Sequence, residues 1–502
     1  MSSVKRIISG SLASWGSICL NLVIQIMFVP IYLTYWTIET YSIWISCQAL
    51  MSFITIFERS HQTFLGFEFL KIKNTDVNNL NKTISSGILI GLLLGFIQCL
   101  AVLLLIKCDF LRHIFVSISS LNLQTAGYVL FILTLSNLLS SSVGGILVRA
   151  VTPFGYYPRM AWWGILSTFS AAFFPLFAVT KGGDLITVSI VTLLSTFISS
   201  LFIYFDLYLI LKRENIRLVN FSLQEGITNL RNSTIVAIKE FFDNIRQQGT
   251  RTLISPFLSP NKFVTFTTIR TGSNIALQGL NTVVNPLMPE LVKFLHQKDQ
   301  DKVNSSISVL WAIVILFMSP AVTILQVYVE PLYLIWTRNK TSFDPYLFSL
   351  LSISVLIYAI TQPAISIITG NNLLKYQLIL SIVSGLILVL SLVILVPKFN
   401  LIGIGVSLVF SECTLSIGYH FYCKRWLSLN KLKWPNNLFN HSALSVFCAS
   451  FSMLLLAYYT NFKILIMVLS ISLQIVISYK YVKALPNVVV NKIYNFFLKK
   501  KT

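Results

Sequence analysis

The sequence predicts an all-α polytopic membrane protein of about fourteen transmembrane helices. These form two pseudo-symmetric six-helix lobes plus an extra helix pair. Three observations carry that prediction. Apolar runs of about twenty residues, the length that crosses a bilayer's hydrocarbon core, recur along the 502-residue chain. Hydrophobic residues make up 55% and charged residues only 11%, with a mean hydropathy of +0.75, too little charge to cover a soluble surface of this size. Lysine and arginine, finally, sort into alternate connections between the apolar runs.

In chain order the spans are centred on 11–34, 41–65, 84–106, 125–147, 160–180, 185–211 and 234–256, then on 263–288, 305–328, 345–369, 376–396, 402–423, 440–460 and 464–482. The first follows a basic start, "MSSVKRIISG", as a signal peptide does. Its apolar run, "ASWGSICLNLVIQIMFVPIYL", is long enough to span and shows no small-residue cleavage site, so it reads as a retained helix. Of the 38 Lys and Arg residues, 25 fall on the side holding both termini, eight on the other and five within spans. Cytoplasmic loops carry the basic excess, so both termini are expected in the cytoplasm. The net charge of +21 thus reflects topology, and nucleic acid is not an expected partner. The tail at 486–502, ending "NKIYNFFLKKKT", interleaves lysine with aromatic rings and is expected to lie on anionic membrane lipids. Seven cysteines are scattered through apolar runs without a CxxC or Cys/His cluster, so they read as small core residues with no disulfide, metal or cofactor.

An internal repeat organises the spans. At an offset of 222 residues Asn21 and Gln25 of span 1 fall on Asp243 and Gln247 of span 7, and "TYSIW" at 40–44 falls on "KFVTF" at 262–266. With a one-residue slip "NNLNKTIS" (78–85) matches "DKVNSSIS" (301–308), and Arg159 matches Lys375 at an offset of 216. The expected division is an N-terminal six-helix lobe at 1–212, a cytoplasmic linker at 213–233, a C-terminal six-helix lobe at 234–425, a helix pair at 426–485 and the basic tail at 486–502. Six spans per lobe make the repeat parallel, and such transporters hold substrate between their halves near the midplane.

The chemistry gathers in span 7, "IKEFFDNIRQQGTRTLI" (238–254). Lys239, Asp243, Gln247 and Arg251 recur every four residues with Glu240 beside them, and Arg246 lies in the same run. Charges at membrane depth cost about 2.5–3.5 kcal/mol each, so this face is expected to line water or another polar helix. Asp243 can also pair with Lys239 or Arg246 in a purely structural network. Span 8 carries a narrower stripe of Arg270, Asn274, Gln278 and Asn281, and span 1 adds Asn21 and Gln25. Guanidinium groups bind phosphate through paired N–H donors, so this lining suits a lipid pyrophosphate or an acidic sugar, with the amides on sugar hydroxyls. Asp243, Glu240, Glu58 and Glu412 are the candidate counter-charges or ion-coupling acids. Glu58 and Arg59 also read as headgroup-level charges. Pro286 and Pro289 are expected to end or kink span 8.

Four stretches resemble a known family: "ETYSIWISCQALMSFITIF" (39–57), "NKFVTFTTIRTGSNIALQGLNTVVNPLMPEL" (261–291), "QPAISIITGNNLLKYQ" (362–377) and "NLIGIGVSLVFSE" (400–412). In order within a fourteen-span layout, they are similar to the multidrug/oligosaccharidyl-lipid/polysaccharide exporter superfamily, in its branch of O-antigen and capsule-type flippases of lipid-linked oligosaccharides. Where that family often has an acid followed by small residues and glycine, this chain reads "FERSHQTFLGFE"; Glu58 takes the acidic place, and Arg59 and His61 depart from the pattern.

The resemblance implies a flippase that moves an undecaprenyl-pyrophosphate-linked oligosaccharide across a bacterial plasma membrane by alternating access. No covalent chemistry is implied. Coupling to protons, to sodium or to the membrane potential is equally allowed, and polysaccharide polymerase machinery is an expected partner. A multidrug exporter of the same architecture is the alternative, although its lining should be acidic and aromatic. A membrane polymerase or lipid-sugar transferase would need a large outer loop or acidic metal-binding motifs, and neither is expected here.

Overall fold

The computed structural model describes residues 3–72, 77–114, 120–218 and 221–486, and among these all regular structure is helical. The basic tail, from residue 487 onward, lies outside the described residues. The chain divides into two compact units, Met1–Val264 and Thr265–Thr502.

The first unit opens with α1 (Ser3–Tyr35), whose end is pinned where the Trp36 indole donates to the Gly183 carbonyl at 2.9 Å. Thr37 caps α2 (Ile38–Ile54) by accepting the Thr40 N–H at 3.1 Å. After a 47° bend at Thr55 the same span continues as α3 (Ile56–Ile72). Next come α4 (Val77–Lys107) and the single turn α5 (Leu111–Ile114). The helices α6 (Ser120–Ser140) and α7 (Gly144–Val151) form one interrupted span. Its break is satisfied by Tyr204, whose hydroxyl accepts the Gly144 N–H at 3.2 Å and reaches the Leu139 and Ser140 carbonyls at 3.0 Å. Backbone groups freed in a membrane helix need such partners. Then follow α8 (Tyr157–Thr180) and α9 (Leu185–Arg213). Asp184 caps α9, and the hydroxyl and N–H of Thr187 hold its carboxyl below the usual range.

Span 7 begins earlier than its apolar residues suggest, as α10 (Leu223–Asn244), followed by a π-helical turn at Ile245–Gly249 and by α11 (Thr250–Ile254). Ser222 caps α10, and Glu225 one turn later takes the Thr83 hydroxyl at 2.5 Å and Lys82 at 3.2 Å on α4. Ile90 of α4 fills the space over Gly226, where a Cβ would come within 2.7 Å of it. These contacts, with packing against α3, place α10 with the helices before it in the compact unit that ends at Val264.

The second unit begins within α12 (Pro260–His296), which runs past Pro286 and Pro289 instead of ending there. The continuation is held because Leu291 and Leu295 enter the unit's core. It continues through α13 (Gln300–Ile313), a π-helical turn, α14 (Ser319–Trp336), α15 (Pro345–Gly370) and the 56-residue α16 (Leu374–Leu429). Asn400, at φ 50°, breaks α16 between the two spans predicted there. The extra pair, α17 (Asn436–Tyr458) and α18 (Lys463–Lys483), is built into this unit: the Tyr481 hydroxyl donates to the Ser308 carbonyl at 2.6 Å, and Gln474 donates to the Thr323 hydroxyl at 3.0 Å. Trp311 centres the core, its indole N–H on the Ile360 carbonyl at 2.9 Å.

Among the described residues ten helices are long and apolar enough to cross a membrane, eleven with the bent α2–α3 pair. Dividing α16 at Asn400 adds one, and the segments at 223–254 and 260–296, expected as spans 7 and 8, are helical but more polar. Those two are set apart by the same charged and amide residues that make them conspicuous in the sequence. Outward faces such as Phe96, Ile97, Leu100 and Leu104 of α4 are exposed and apolar, as lipid contact requires. The chain is a multi-pass membrane protein.

Candidate functional site

The bend between α2 and α3 leaves the Ser52 carbonyl without its helical partner, and Asn244 at the end of α10 supplies one, donating through Nδ2 at 2.9 Å. Phe241 meets Phe53 edge-on at 5.9 Å. The two helices therefore meet where each departs from α geometry, and a cavity of about 600 Å³ opens beside the junction.

Its wall is polar. From α10 and the π turn come Lys239, Glu240, Asp243, Asn244 and Gln247; from α2 and α3 come Ser52, Arg59, Ser60 and Thr63; Arg149 enters from α7. Lys239 bonds Asp243 at 3.0 Å and lies 4.0 Å from Glu240, while Arg246 approaches Asp243 at 3.9 Å. Asp243 is thus held between two cations. Arg59 is different: its exposed guanidinium makes no hydrogen bond or ion pair among the described residues. Three cations face the cavity against two carboxylates, both of which meet Lys239.

Behind this wall lies a buried polar chain. Glu58, 1% exposed, accepts hydrogen bonds from Gln62 Nε2 at 3.1 Å and Asn137 Nδ2 at 2.9 Å. The carbonyl oxygen of Gln62 accepts from Arg149 at 3.2 Å, and Arg149 also donates to the Gly145 carbonyl at 2.9 Å. Asn137 reaches Gln98 at 3.4 Å. One amide therefore separates the buried carboxyl from an arginine of the cavity wall. A Cβ at 145 would come within 2.2 Å of Gln62 Oε1, so any larger residue there must displace the Gln62 amide.

The structure gathers Lys239, Glu240, Asp243 and Gln247 on the cavity and sets Arg246 against Asp243 from one side. Arg251 does not line it. The fourfold spacing extrapolates a continuous α-helix, whereas the π turn inserts one residue and rotates everything beyond by about 100°. Asn21 and Gln25 are half-buried on α1 and also stand off the cavity. Arg270, 5% exposed, and the half-buried Asn274, Gln278 and Asn281 belong to α12 in the second unit, as the buried Glu412 belongs to α16. Sequence reasoning gave Arg149 no place at the site and treated Arg59 as a headgroup-level charge. The available signal was Arg59 itself, an arginine inside an apolar span. One acidic pair does have metal-motif spacing, Asp299 and Asp301, but Asp299 caps α13 and pairs with Lys302 at 2.6 Å. Among the described residues no group of three or more His, Cys, Asp and Glu side chains is placed to hold a metal.

The fold of this chain, two compact units of membrane helices, is similar to that of several solved transporters. Its solved neighbours include the lipid II flippase MurJ in an inward closed conformation, at a TM-score of 0.67 and 13% identity, covering 95% of this chain and 99% of that one. An inward-facing multidrug resistance MATE family transporter is similar at a TM-score of 0.66 and 14% identity over 83% and 95% of the two chains. A MOP superfamily transporter from Pyrococcus furiosus, described by the reverse polarity of its binding pocket, matches at 0.55 and 14% over 85% and 96%. No family model matches the chain. No curated protein matches it in sequence either.

Proposed function

We propose that this protein is a flippase for an undecaprenyl-pyrophosphate-linked oligosaccharide, an O-antigen or similar repeat unit, with the pyrophosphate bound in the first unit's cavity. The observation that carries this reading is Arg59, whose guanidinium makes no ion pair among the described residues and faces a cavity of about 600 Å³ beside Arg149 and Lys239. A guanidinium presents paired donors to phosphate oxygens. The volume falls in the range of about 300–1,000 Å³ typical of small-molecule sites, enough for a head group while the lipid stays outside. Ser60, Thr63 and Gln247 offer hydrogen bonds to sugar hydroxyls. Glu58, linked to Arg149 through Gln62, is the acid best placed to couple transport to protons or sodium.

The test is surface display of the glycan in a flippase-deficient strain. Arg59→Gln should lower display roughly tenfold or more, the worth of one charge-assisted contact, and Arg59→Gln with Arg149→Gln should abolish it at normal protein level. Full display from the double variant would sink the proposal. The second reading, a multidrug exporter, draws on Glu240 and Asp243 at the cavity and on the likeness to MATE transporters. It requires that Glu240→Gln with Asp243→Asn stop efflux of cationic dyes and leave glycan display intact.

A further inference from the structure

A second recess lies on the outer face of the first unit, between α8 and α9, with a volume of about 420 Å³. Its walls are Leu166, Phe174, Leu194, Ile198 and Phe202, all strongly exposed. Its floor is Ser170, Ser195 and Ser199, small enough to leave a groove where other helix faces are filled. The hydroxyls of Ser195 and Ser199 bond back to the Thr192 and Thr196 carbonyls of their own helix at 3.0 and 2.9 Å, so little polarity is left unmet in the floor. Along α8 the groove runs from Trp163 to Phe174, about 16 Å at 1.5 Å per residue. That is close to one leaflet of a hydrocarbon core about 30 Å thick.

The groove has a charged end. Trp163 closes it and donates to Asp206 at 2.7 Å, and Arg159 one turn earlier pairs with the same carboxylate through Nε at 2.9 Å and through Nη2. Asp206 is buried by these contacts, whereas Arg159 remains 52% exposed and its Nη1 makes no hydrogen bond among the described residues. Lys212 and Arg213 at the end of α9 and Arg217 just beyond it are exposed at the same end. An apolar channel one leaflet long, ending in a fixed guanidinium with further cations around it, complements one kind of molecule.

We propose that this groove binds an anionic glycerophospholipid of the basic, cytoplasmic-side leaflet, with one acyl chain between α8 and α9 and its phosphate on Arg159. Asp206 positions the guanidinium and does not touch the lipid. The proposal is independent of the transported substrate, since the groove and the polar cavity share no residue.

Native mass spectrometry of the full chain tests it, using detergent-stripped protein titrated with phosphatidylglycerol, phosphatidylethanolamine or undecaprenyl phosphate. The unmodified protein should retain one phosphatidylglycerol in preference to both other lipids. Ser195→Phe, which fills the groove, should reduce retention at least roughly tenfold, because the chain loses its buried methylenes. Arg159→Gln should reduce it about fivefold, the worth of one basic group near an anionic surface. Ser199→Leu reads the same effect should Ser195→Phe fail to fold. Unchanged retention in a folded groove-filled variant overturns the proposal, as does equal retention of phosphatidylethanolamine or a preference for the polyprenyl phosphate.

Discussion

Glu58 and Arg59 are neighbours in sequence with opposite surroundings. One helical step of about 100° separates them, and α3 turns Arg59 into the cavity while Glu58 faces Gln62, Asn137 and the break between α6 and α7. The acid is held by neutral amides, so Glu58→Gln should leave thermal stability in detergent within about 1 kcal/mol and, if the proposed coupling through Glu58 holds, make transport indifferent to an imposed proton or sodium gradient. Glu58→Leu strands those amides and should cost about 1–3 kcal/mol, read as a lowered melting temperature. Gradient-dependent transport in the glutamine variant would count against Glu58 as the coupling acid. At Gly145 an added methyl group would push the Gln62 amide off its hydrogen bonds to Glu58 and Arg149, so Gly145→Ala should destabilise by about 1–3 kcal/mol in the same assay. Neither partner was legible in the sequence, because Gln62 and Gly145 are brought together only by the packing of α3 on α7.

The instructive element is α10 with its π turn. Its polar face was readable from fourfold spacing as far as Gln247, and the cavity wall ends at that residue. Beyond it the extra residue of the turn carries Arg251 away. Nothing in "IRQQG" announces such a turn. Its setting is tertiary, where Asn244 immediately before it is engaged by the Ser52 carbonyl on a helix 192 residues away in sequence. In a cysteine-free background, Gln247→Cys should react rapidly with a charged maleimide and Arg251→Cys at least about tenfold more slowly, as a rotation of about 100° requires. Equal rates would mean that the helix runs on unbroken.

At the scale of the whole molecule the expected topology is open to direct measurement. Green fluorescent protein fused after the last residue should fluoresce, and alkaline phosphatase fused there should be inactive, if the basic loops are cytoplasmic. The reverse pattern would invert the proposed direction of transport. Within the first unit, polar groups of broken helices are met by partners on other helices, as Tyr204 meets Gly144 and Asn244 meets Ser52.

Composition and charge alone established that this is a helical membrane protein and located its spans, because crossing a bilayer is a property of about twenty consecutive residues. They also singled out the polar run at 238–254, since charge at membrane depth is conspicuous by its cost. Tertiary structure decided which of its charges face a cavity, that Arg59 and Arg149 complete the wall, and that α10 packs with the helices before it. Those outcomes depend on helix rotation, on a bend and on one inserted residue, and each is set by contacts between residues distant along the chain.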